Sequence, residues 1–464
     1  MYNGSMSNNN ARDKFSSRLG FILLSAGCAI GLGNVWRFPW VTGQYGGALF
    51  VLIYLVFVVI LGLPVMSMEF AVGRASQKSV ARSFHVMERP GQKWHTFSWP
   101  AMAANYILMM FYTTICGWIL AYTFKMANGD FVGKSPNEVA AIFGKFISNP
   151  LACVGWMLGI TVLGFVIVGG GLQKVVERVI NPMMVALFVI LLVLMIRALT
   201  LPGAGAGVLF YMKPNVDAFR EHGFFRIMYE AMAHAAFTLS LGIGSMAIFG
   251  SYIDKDKRLM GESITVATLD TVSALMAGFV IFPACFAFGV DPAVGPELIF
   301  VTLPPIFDTM PLGRLWGVLF FLLMTFAGLA TIIAVFENIM SFAVDIKGWS
   351  RRKSCIVNCI ALSILALPCT LGFNVLSGFQ PLGGETSILD LEDFIISNNI
   401  LPIGIVVYIL YCVTKKGWGW PNFLKEVNAG TGIKFPEAGK FFYVWILPLM
   451  ILVIFIMGYK DKFF

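Results

Sequence analysis

Apolar runs of membrane-spanning length follow one another along the chain from residue 19 to residue 458, separated by polar stretches. A helix needs about twenty consecutive apolar residues to cross the hydrocarbon core of a bilayer. On that measure eleven spans are expected, at roughly 19–42, 47–73, 99–126, 150–169, 176–200, 227–252, 262–289, 313–346, 354–374, 389–414 and 441–458. The expected fold class is an all-α polytopic membrane protein with 11 transmembrane helices. A polar N-terminal tail, 1–18, precedes a single transmembrane domain, 19–464, with spans 1–5 at about 19–200, spans 6–10 at about 227–414 and span 11 at about 441–458. No small-residue cleavage site follows the first apolar run, so it is expected as a retained span and not a signal peptide.

Two of these runs are poor helices. The stretch from Gly27 to Trp40, GCAIGLGNVWRFPW, brings together Gly27, Gly31, Gly33, Asn34, Arg37 and Pro39. Its parent run, Leu19 to Trp40, is about 33 Å long as a helix, so the interruption falls near mid-membrane. The sixth run repeats the oddity with AFTLSLGIG, Ala236 to Gly244, where Thr238, Ser240, Gly242 and Gly244 interrupt the apolar pattern. Glycines alone are equally a device for close helix packing. Asn34 and Arg37 tip the reading towards opened backbone that lines a polar cavity. Two interruptions five spans apart predict a 5+5 inverted repeat, with broken helices 1 and 6 and the binding sites where the breaks meet. No residue-by-residue repeat between the halves is visible.

Composition agrees with this pattern: 58% of residues are hydrophobic, 12% are charged, and the mean hydropathy is +0.79. The net charge of +8 would suit nucleic acid, but 22 of the 33 Lys and Arg fall in the tail, loops and span ends of one side. That bias predicts a multi-pass protein of the cell membrane with a cytoplasmic N-terminus and, after an odd number of crossings, an outside C-terminus. Nucleic acid is excluded as a partner. The eight cysteines form no paired pattern and are expected as small buried residues. His85, His95, His222 and His234 are scattered, Cys355 and Cys359 have no further ligands in sequence, and no Ser/His/Asp arrangement occurs. An enzyme is therefore not expected. An ion channel, or a sensor that binds amino acid without moving it, could be built on the same broken helices.

The block SAGCAIGLGNVWRFPW, the second-run ending EFAVGR (Glu69 to Arg74) and AFTLSLGIG resemble the neurotransmitter:sodium symporter family, over nearly the whole chain. Eleven spans resemble its bacterial branch, which carries hydrophobic and aromatic amino acids. The resemblance implies a Na⁺-coupled amino-acid symporter working by alternating access, with two Na⁺ ions, membrane lipid around it and a monomer sufficient for function.

Residue by residue, the resemblance implies that N–H groups near Leu32 and Gly33 and the hydroxyl of Tyr112 hold the substrate carboxylate. Carbonyls of Ala29, Phe237, Thr238 and Ser240 would face its ammonium. Leu108, Tyr112, Phe237, Ser240, Ile243 and Val335 would enclose its side chain; Ile243 stands where a family member has an aromatic residue, and Val335 is short, so a roomy pocket is expected. One Na⁺ would take Ala29, Asn34, Thr238, Asp270 and the substrate carboxylate. The second would take carbonyls of Gly27, Ile30 and Ala327 with the hydroxyl of Thr331, although Thr331 could instead bond its own i−4 carbonyl. Ala330 departs from the family pattern beside it, where a hydroxyl residue is usual. Family members that need chloride carry an amide at Asp270, so Asp270 is expected either to replace the chloride charge or to serve as a protonated structural acid.

Gates are implied by Arg37 with Asp393 on the outer side, and by Arg12, Phe15, Tyr252 and Asp345 on the inner side. Glu69 and His234 would steady Arg37. His234, in place of a glutamine, is either a pH-sensitive element or a neutral hydrogen-bonding group. Pro182 is either an unwinding point beside the second ion or a static kink.

Overall fold

A computed structural model describes residues 15–292, 298–384 and 386–463. Among them every regular element is helical, and extended pairing is limited to two isolated bridges, Gly47 with Pro214 and Lys257 with Thr431. Nine helices of the described residues are long and apolar enough to cross a membrane. A tenth crossing is made of two pieces, Arg18–Ala29 and Gly33–Gln44, bent by 51°. The expected sixth span is also divided, into Phe224–Thr238 and Ser245–Gly250, each too short to cross alone.

Helix starts follow local chemistry. Ser17 accepts the Gly20 N–H at the start of the first span, Asn149 accepts that of Ala152 before Pro150–Gly169, and Ser350 accepts that of Lys353 before Arg351–Leu365. Ser387 and Asp390 form a reciprocal capping box at the start of Ile388–Ile395. Each such side chain satisfies a backbone donor that the first helical turn leaves without a partner.

Hydropathy does not tell which spans are central; burial does. The most apolar window of Gly313–Lys347 is 78% buried and that of Glu437–Lys460 only 28%. The first is scaffold, and the second turns most of its side chains outward as a lipid-facing helix must. Gly313–Lys347 runs against Trp94–Asn128, and the two broken spans pack beside them. The segment Leu298–Asp308, between the seventh and eighth spans, folds back into the protein. There Phe300 is fully buried, stacked on Phe143 at 5.1 Å and edge-on to Trp36, Trp118 and Tyr122.

At the N-terminal face, Arg74 closes the bundle. Its Nε donates to Glu426 Oε1 at 2.7 Å, one terminal nitrogen donates to the Lys257 carbonyl at 2.8 Å, and the other donates to the Glu426 carbonyl. A residue that first reads as a topology signal thus ties three loops together. All eight cysteines are free.

Candidate functional site

The break in the first span comes from side chains that take backbone donors away from the helix. Gly31 N–H donates to Asn34 Oδ1 at 3.1 Å and Leu32 N–H donates to Tyr112 Oη at 3.0 Å. The carbonyls of Gly27 and Cys28, four residues earlier, thereby lose their helical partners. Each receives a hydroxyl instead: Thr331 Oγ1 donates towards Gly27 O at 3.2 Å, and Ser240 Oγ towards Cys28 O at 3.2 Å. Ile30 takes an extended conformation, with φ −72° and ψ 91°, which ends the helix. Gly31 has to be glycine, since a Cβ there would lie 2.5 Å from Tyr112 Oη and 2.7 Å from Thr331 Oγ1.

The sixth span opens over Leu239 to Gly244. Ser240 has φ +51°, and Gly242 and Gly244 have φ +92° and +75°, conformations that side chains other than glycine seldom adopt. Glu69 Oε1 accepts the Gly242 N–H at 2.5 Å, and Asn105 Nδ2 donates to the Ile243 carbonyl at 3.1 Å. Gly242 lies against span 10, where a Cβ would come within 2.4 Å of the Leu401 carbonyl.

Where the breaks meet, four buried groups form one polar cluster. Asn34 Nδ2 donates to Asp270 Oδ1 at 2.8 Å and lies 2.9 Å from the Asp270 carbonyl and 3.1 Å from Ser273 Oγ. Thr238 Oγ1 is 3.1 and 3.2 Å from the Asp270 carboxylate oxygens and 3.3 Å from Asn34 Oδ1. These are hard oxygen donors, the kind that suits an alkali cation, with no thiol or imidazole among them. Ser273 escaped the sequence reading; its position three residues after Asp270 on one helix face was the available signal.

A second group of oxygens surrounds Thr331, whose hydroxyl lies 3.2 Å from Gly27 O and 3.4 Å from Ala327 O. Thr331 thus faces its own i−4 carbonyl, as the structural alternative expects, and also the Gly27 carbonyl of the first span.

Between the two clusters is a small cavity of about 20 Å³ lined by Ala29, Gly31, Gly33, Leu108, Tyr112, Phe237, Thr238, Ser240 and Ile243, with Cys28 and Thr331. Val335 is fully buried but does not line it, because its side chain packs within the helix bundle; Ile396 and Leu401 of the tenth span line it instead. Phe237 also lines a wide vestibule of about 620 Å³ beyond it, together with Leu32, Gly33, Trp36, Arg37 and Asp393. Gly33, Tyr112 and Phe237 line both spaces.

Arg37 and Asp393 both face this vestibule, and among the described residues they form no ion pair. The Arg37 guanidinium lies over the Phe237 ring at 4.9 Å, and Asp393 accepts from Ser397 Oγ at 2.6 Å. Two expectations for their support are corrected. Glu69 makes no bond to Arg37: its Oε1 accepts the Gly242 N–H of the sixth-span break, and its buried Oε2 has no hydrogen-bond partner among the described residues. His234 is not a hydrogen-bonding group: it is enclosed by Phe38, Phe50 and Tyr54 at ring separations of 5.3 to 6.4 Å, and neither ring nitrogen finds a partner among the described residues.

The opposite face is packed. Phe15 meets Tyr252 edge-on at 5.7 Å, and Tyr252 Oη donates to Glu337 at 2.8 Å. Asp345 accepts from the backbone and hydroxyl of Ser79 at 2.7 and 2.6 Å. Ser16 N–H donates to Glu177 at 2.8 Å, and Arg18 pairs with Glu262 at 2.9 Å. Arg12 lies outside the described residues. Pro182 sits within Glu177–Leu199, which follows a wider turn over Leu172–Val176. The histidines are less scattered than their sequence positions imply, as His85 and His95 come together with Glu88 in the loop between the second and third spans.

Comparison with known proteins agrees with this geometry. The model of the sodium:neurotransmitter symporter family matches residues 12–135 and 143–462. The chain is 34% identical over 450 residues, 96% of its own length and 97% of the relative's, to the uncharacterized sodium-dependent transporter YhdH of Bacillus subtilis. It is 24% identical over 500 residues to the sodium-dependent serotonin transporter of Drosophila melanogaster, covering 97% of this chain and 77% of that one. Among solved structures it is similar to MhsT in complex with L-phenylalanine, with a TM-score of 0.86 and 36% identity over 96% of this chain and 99% of that one. The chain belongs to the sodium:neurotransmitter symporter family, a family of sodium-dependent transporters and not of enzymes.

Proposed function

We propose that this multi-pass membrane symporter couples two Na⁺ ions to the uptake of hydrophobic or aromatic L-amino acids, by alternating access and without need of chloride. The reading rests chiefly on the two breaks, where Tyr112 and Thr238 line one small cavity and Thr238 is bonded to Asp270, which Asn34 also meets. A zwitterion needs donors and a cation at its carboxylate, acceptors at its ammonium and an apolar wall for its side chain. Tyr112 Oη with the N–H groups of Leu32 and Gly33 is the carboxylate end. Carbonyls of Ala29, Phe237, Thr238 and Ser240 are the ammonium end, and Leu108, Ile243, Phe237, Ile396 and Leu401 are the apolar wall.

The first Na⁺ takes Asn34, Thr238, Asp270, the Ala29 carbonyl and the substrate carboxylate. Sharing that carboxylate makes coupling reciprocal, since each ligand improves the other's binding by the same free energy. The second takes the carbonyls of Gly27, Ile30 and Ala327 with Thr331; Ala330, beside it, adds no oxygen. Asp270 brings the negative charge for which chloride would otherwise be needed. With the N-terminus cytoplasmic, the vestibule lined by Arg37 and Asp393 opens outside. The outer gate shuts when those two side chains pair above Phe237. Arg12, Phe15, Tyr252 and Asp345 hold the inner side. L-phenylalanine in MhsT, similar over nearly all of both chains, favours a large apolar substrate.

The test is uptake of labelled L-phenylalanine into proteoliposomes with an imposed Na⁺ gradient, in competition with each of the twenty amino acids and with gluconate replacing chloride. Saturable, concentrative, Na⁺-dependent uptake inhibited by large apolar amino acids and indifferent to chloride is expected. Flux without accumulation would indicate a channel, and binding without flux a sensor; a large loss in gluconate would remove the role given to Asp270.

A further inference from the structure

His85, Glu88 and His95 form a compact trio on the N-terminal face, away from the transport site. His85 is in the last turn of Val80–Met87, Glu88 ends that helix with φ −71° and ψ 154°, and His95 lies in the tight turn Trp94–Phe97. Glu88 Oε1 is 2.5 Å from His95 Nδ1 and 3.8 Å from His85 Nδ1, and Glu88 Oε2 accepts the His95 N–H at 3.1 Å. The two imidazoles meet edge-on at 5.7 Å. One ligand atom from each of the three residues can be chosen so that all lie within 4.8 Å of one another. The Glu88 side chain is 9% exposed, while those of His85 and His95 are 56% and 41% exposed, so the trio has a buried floor and an open mouth.

We propose that this trio is a binding site for a divalent transition cation of the zinc class. Two imidazole nitrogens and one carboxylate oxygen, with a fourth position left to water, are a common ligand set for Zn²⁺. Imidazole favours zinc, copper and nickel over calcium and magnesium, which prefer all-oxygen sites. Tetrahedral Zn²⁺ needs its ligand atoms about 3.3 Å apart, so the Glu88–His95 contact must open from 2.5 Å and the Glu88–His85 contact close from 3.8 Å, an adjustment that rotation of the two exposed imidazoles supplies. Glu88 is already fixed by the backbone N–H of His95, the second bond that orients a metal-binding carboxylate. Arg89 and Lys93, in the same loop, oppose a cation and set an affinity below that of the bare ligand set.

The loop that carries the trio packs against three spans. Phe84 packs on Tyr408 and Tyr411 of the tenth span at 5.2 and 4.9 Å, and Gln92 and Trp94 both donate to the Lys416 carbonyl at 2.7 Å. Ser79 holds Asp345 of the eighth span, and Val80 touches Gly244 of the sixth-span break. A metal joining Val80–Met87 to the turn before the third span stiffens this brace and slows the transport cycle. The binding site does not depend on which substrate is carried.

Purified full-length protein titrated with ZnCl₂ against a chelating dye is expected to bind one ion through the trio, with Mg²⁺ and Ca²⁺ failing to compete. Co²⁺ should give the visible absorption of a four-coordinate site. His85→Ala with His95→Ala should weaken Zn²⁺ binding at least about tenfold, as should Glu88→Gln, while Na⁺-dependent substrate binding by both variants stays at the wild-type level. Zinc binding equal in wild type and variants, or none in wild type, overturns the site. In proteoliposomes with Zn²⁺ on both faces, maximal uptake by the wild type should fall at least about twofold and that of the double variant should not. An equal effect on both, or none, overturns the brace.

Discussion

Gly31→Ala tests whether the first-span break is the joint between substrate and second ion. The added Cβ would lie 2.5 Å from Tyr112 Oη and 2.7 Å from Thr331 Oγ1, whereas ordinary contact begins near 3.4 Å. Tyr112 Oη must retreat by nearly an ångström, which stretches its 3.0 Å bond from the Leu32 N–H past the useful range. The displaced hydroxyl no longer reaches the substrate carboxylate, and a hydrogen bond to a charged group is worth about 1.5–3 kcal/mol, or about 10- to 150-fold in affinity at 1.4 kcal/mol per decade. Equilibrium binding of labelled substrate to purified protein at several Na⁺ concentrations should show substrate affinity reduced by that factor, with a higher Na⁺ midpoint because the two are coupled. Tyr112→Phe removes the nearer colliding atom and the same hydrogen bond. The double variant Gly31→Ala, Tyr112→Phe should therefore lose less than the sum of the single losses. Binding by Gly31→Ala within about twofold of wild type, or strict additivity in the cycle, would refute the reasoning.

Asp270→Asn should weaken Na⁺-dependent binding by about 10- to 150-fold in chloride-free buffer, the worth of a hydrogen-bonded charge, and chloride should restore part of it. Asp393→Ala should slow uptake while leaving equilibrium binding largely intact, since Asp393 lines the vestibule and not the inner cavity; uptake at the wild-type rate would remove it from the gate. Gly242→Ala combines φ +92° with a Cβ 2.4 Å from the Leu401 carbonyl, so it should lower stability by at least about 1–3 kcal/mol, read as a lower Tm in detergent. Arg74→Met should lower stability by less than the roughly 3–5 kcal/mol of a fully unpaired buried charge, because Lys255 at 2.9 Å still meets the Glu426 carboxylate, and adding Glu426→Leu should recover much of the loss in the same melt.

Much of the architecture was legible because a bilayer constrains the chain so strongly. Every backbone donor must be met within a span, so an apolar run long enough to cross is a helix, and glycines beside Asn34 and Arg37 mark where one opens. The same reasoning found Asp270 and the sixth-span break, and the family likeness supplied the residues around them. It misassigned Val335 because the side of a long buried helix that meets a cavity depends on rotation against its neighbours. It missed Ile396 and Leu401 because the polar residues of the tenth span, such as Asp393, mark the vestibule, while which of its apolar residues reach the inner cavity depends on how that span is rotated against its neighbours. Glu69 was paired with the wrong group: a buried carboxylate announces that it needs a donor, but only the fold places the Gly242 N–H against it.

The sequence by itself determined the helical membrane class, the approximate position of the long apolar helices and the two places where helix is not tenable, since these follow from length, apolarity and local backbone preference. Tertiary structure alone decided which carbonyls are freed. Gly27 and Cys28 lose their partners only because Asn34 and Tyr112, the latter from another span, take the N–H groups of Gly31 and Leu32. It also decided which spans are scaffold and which face lipid, for a helix apolar on all sides carries no mark of the side it buries. Likewise it gathered His85, Glu88 and His95, whose nearness depends on a helix ending at Glu88 and the chain turning back before the third span.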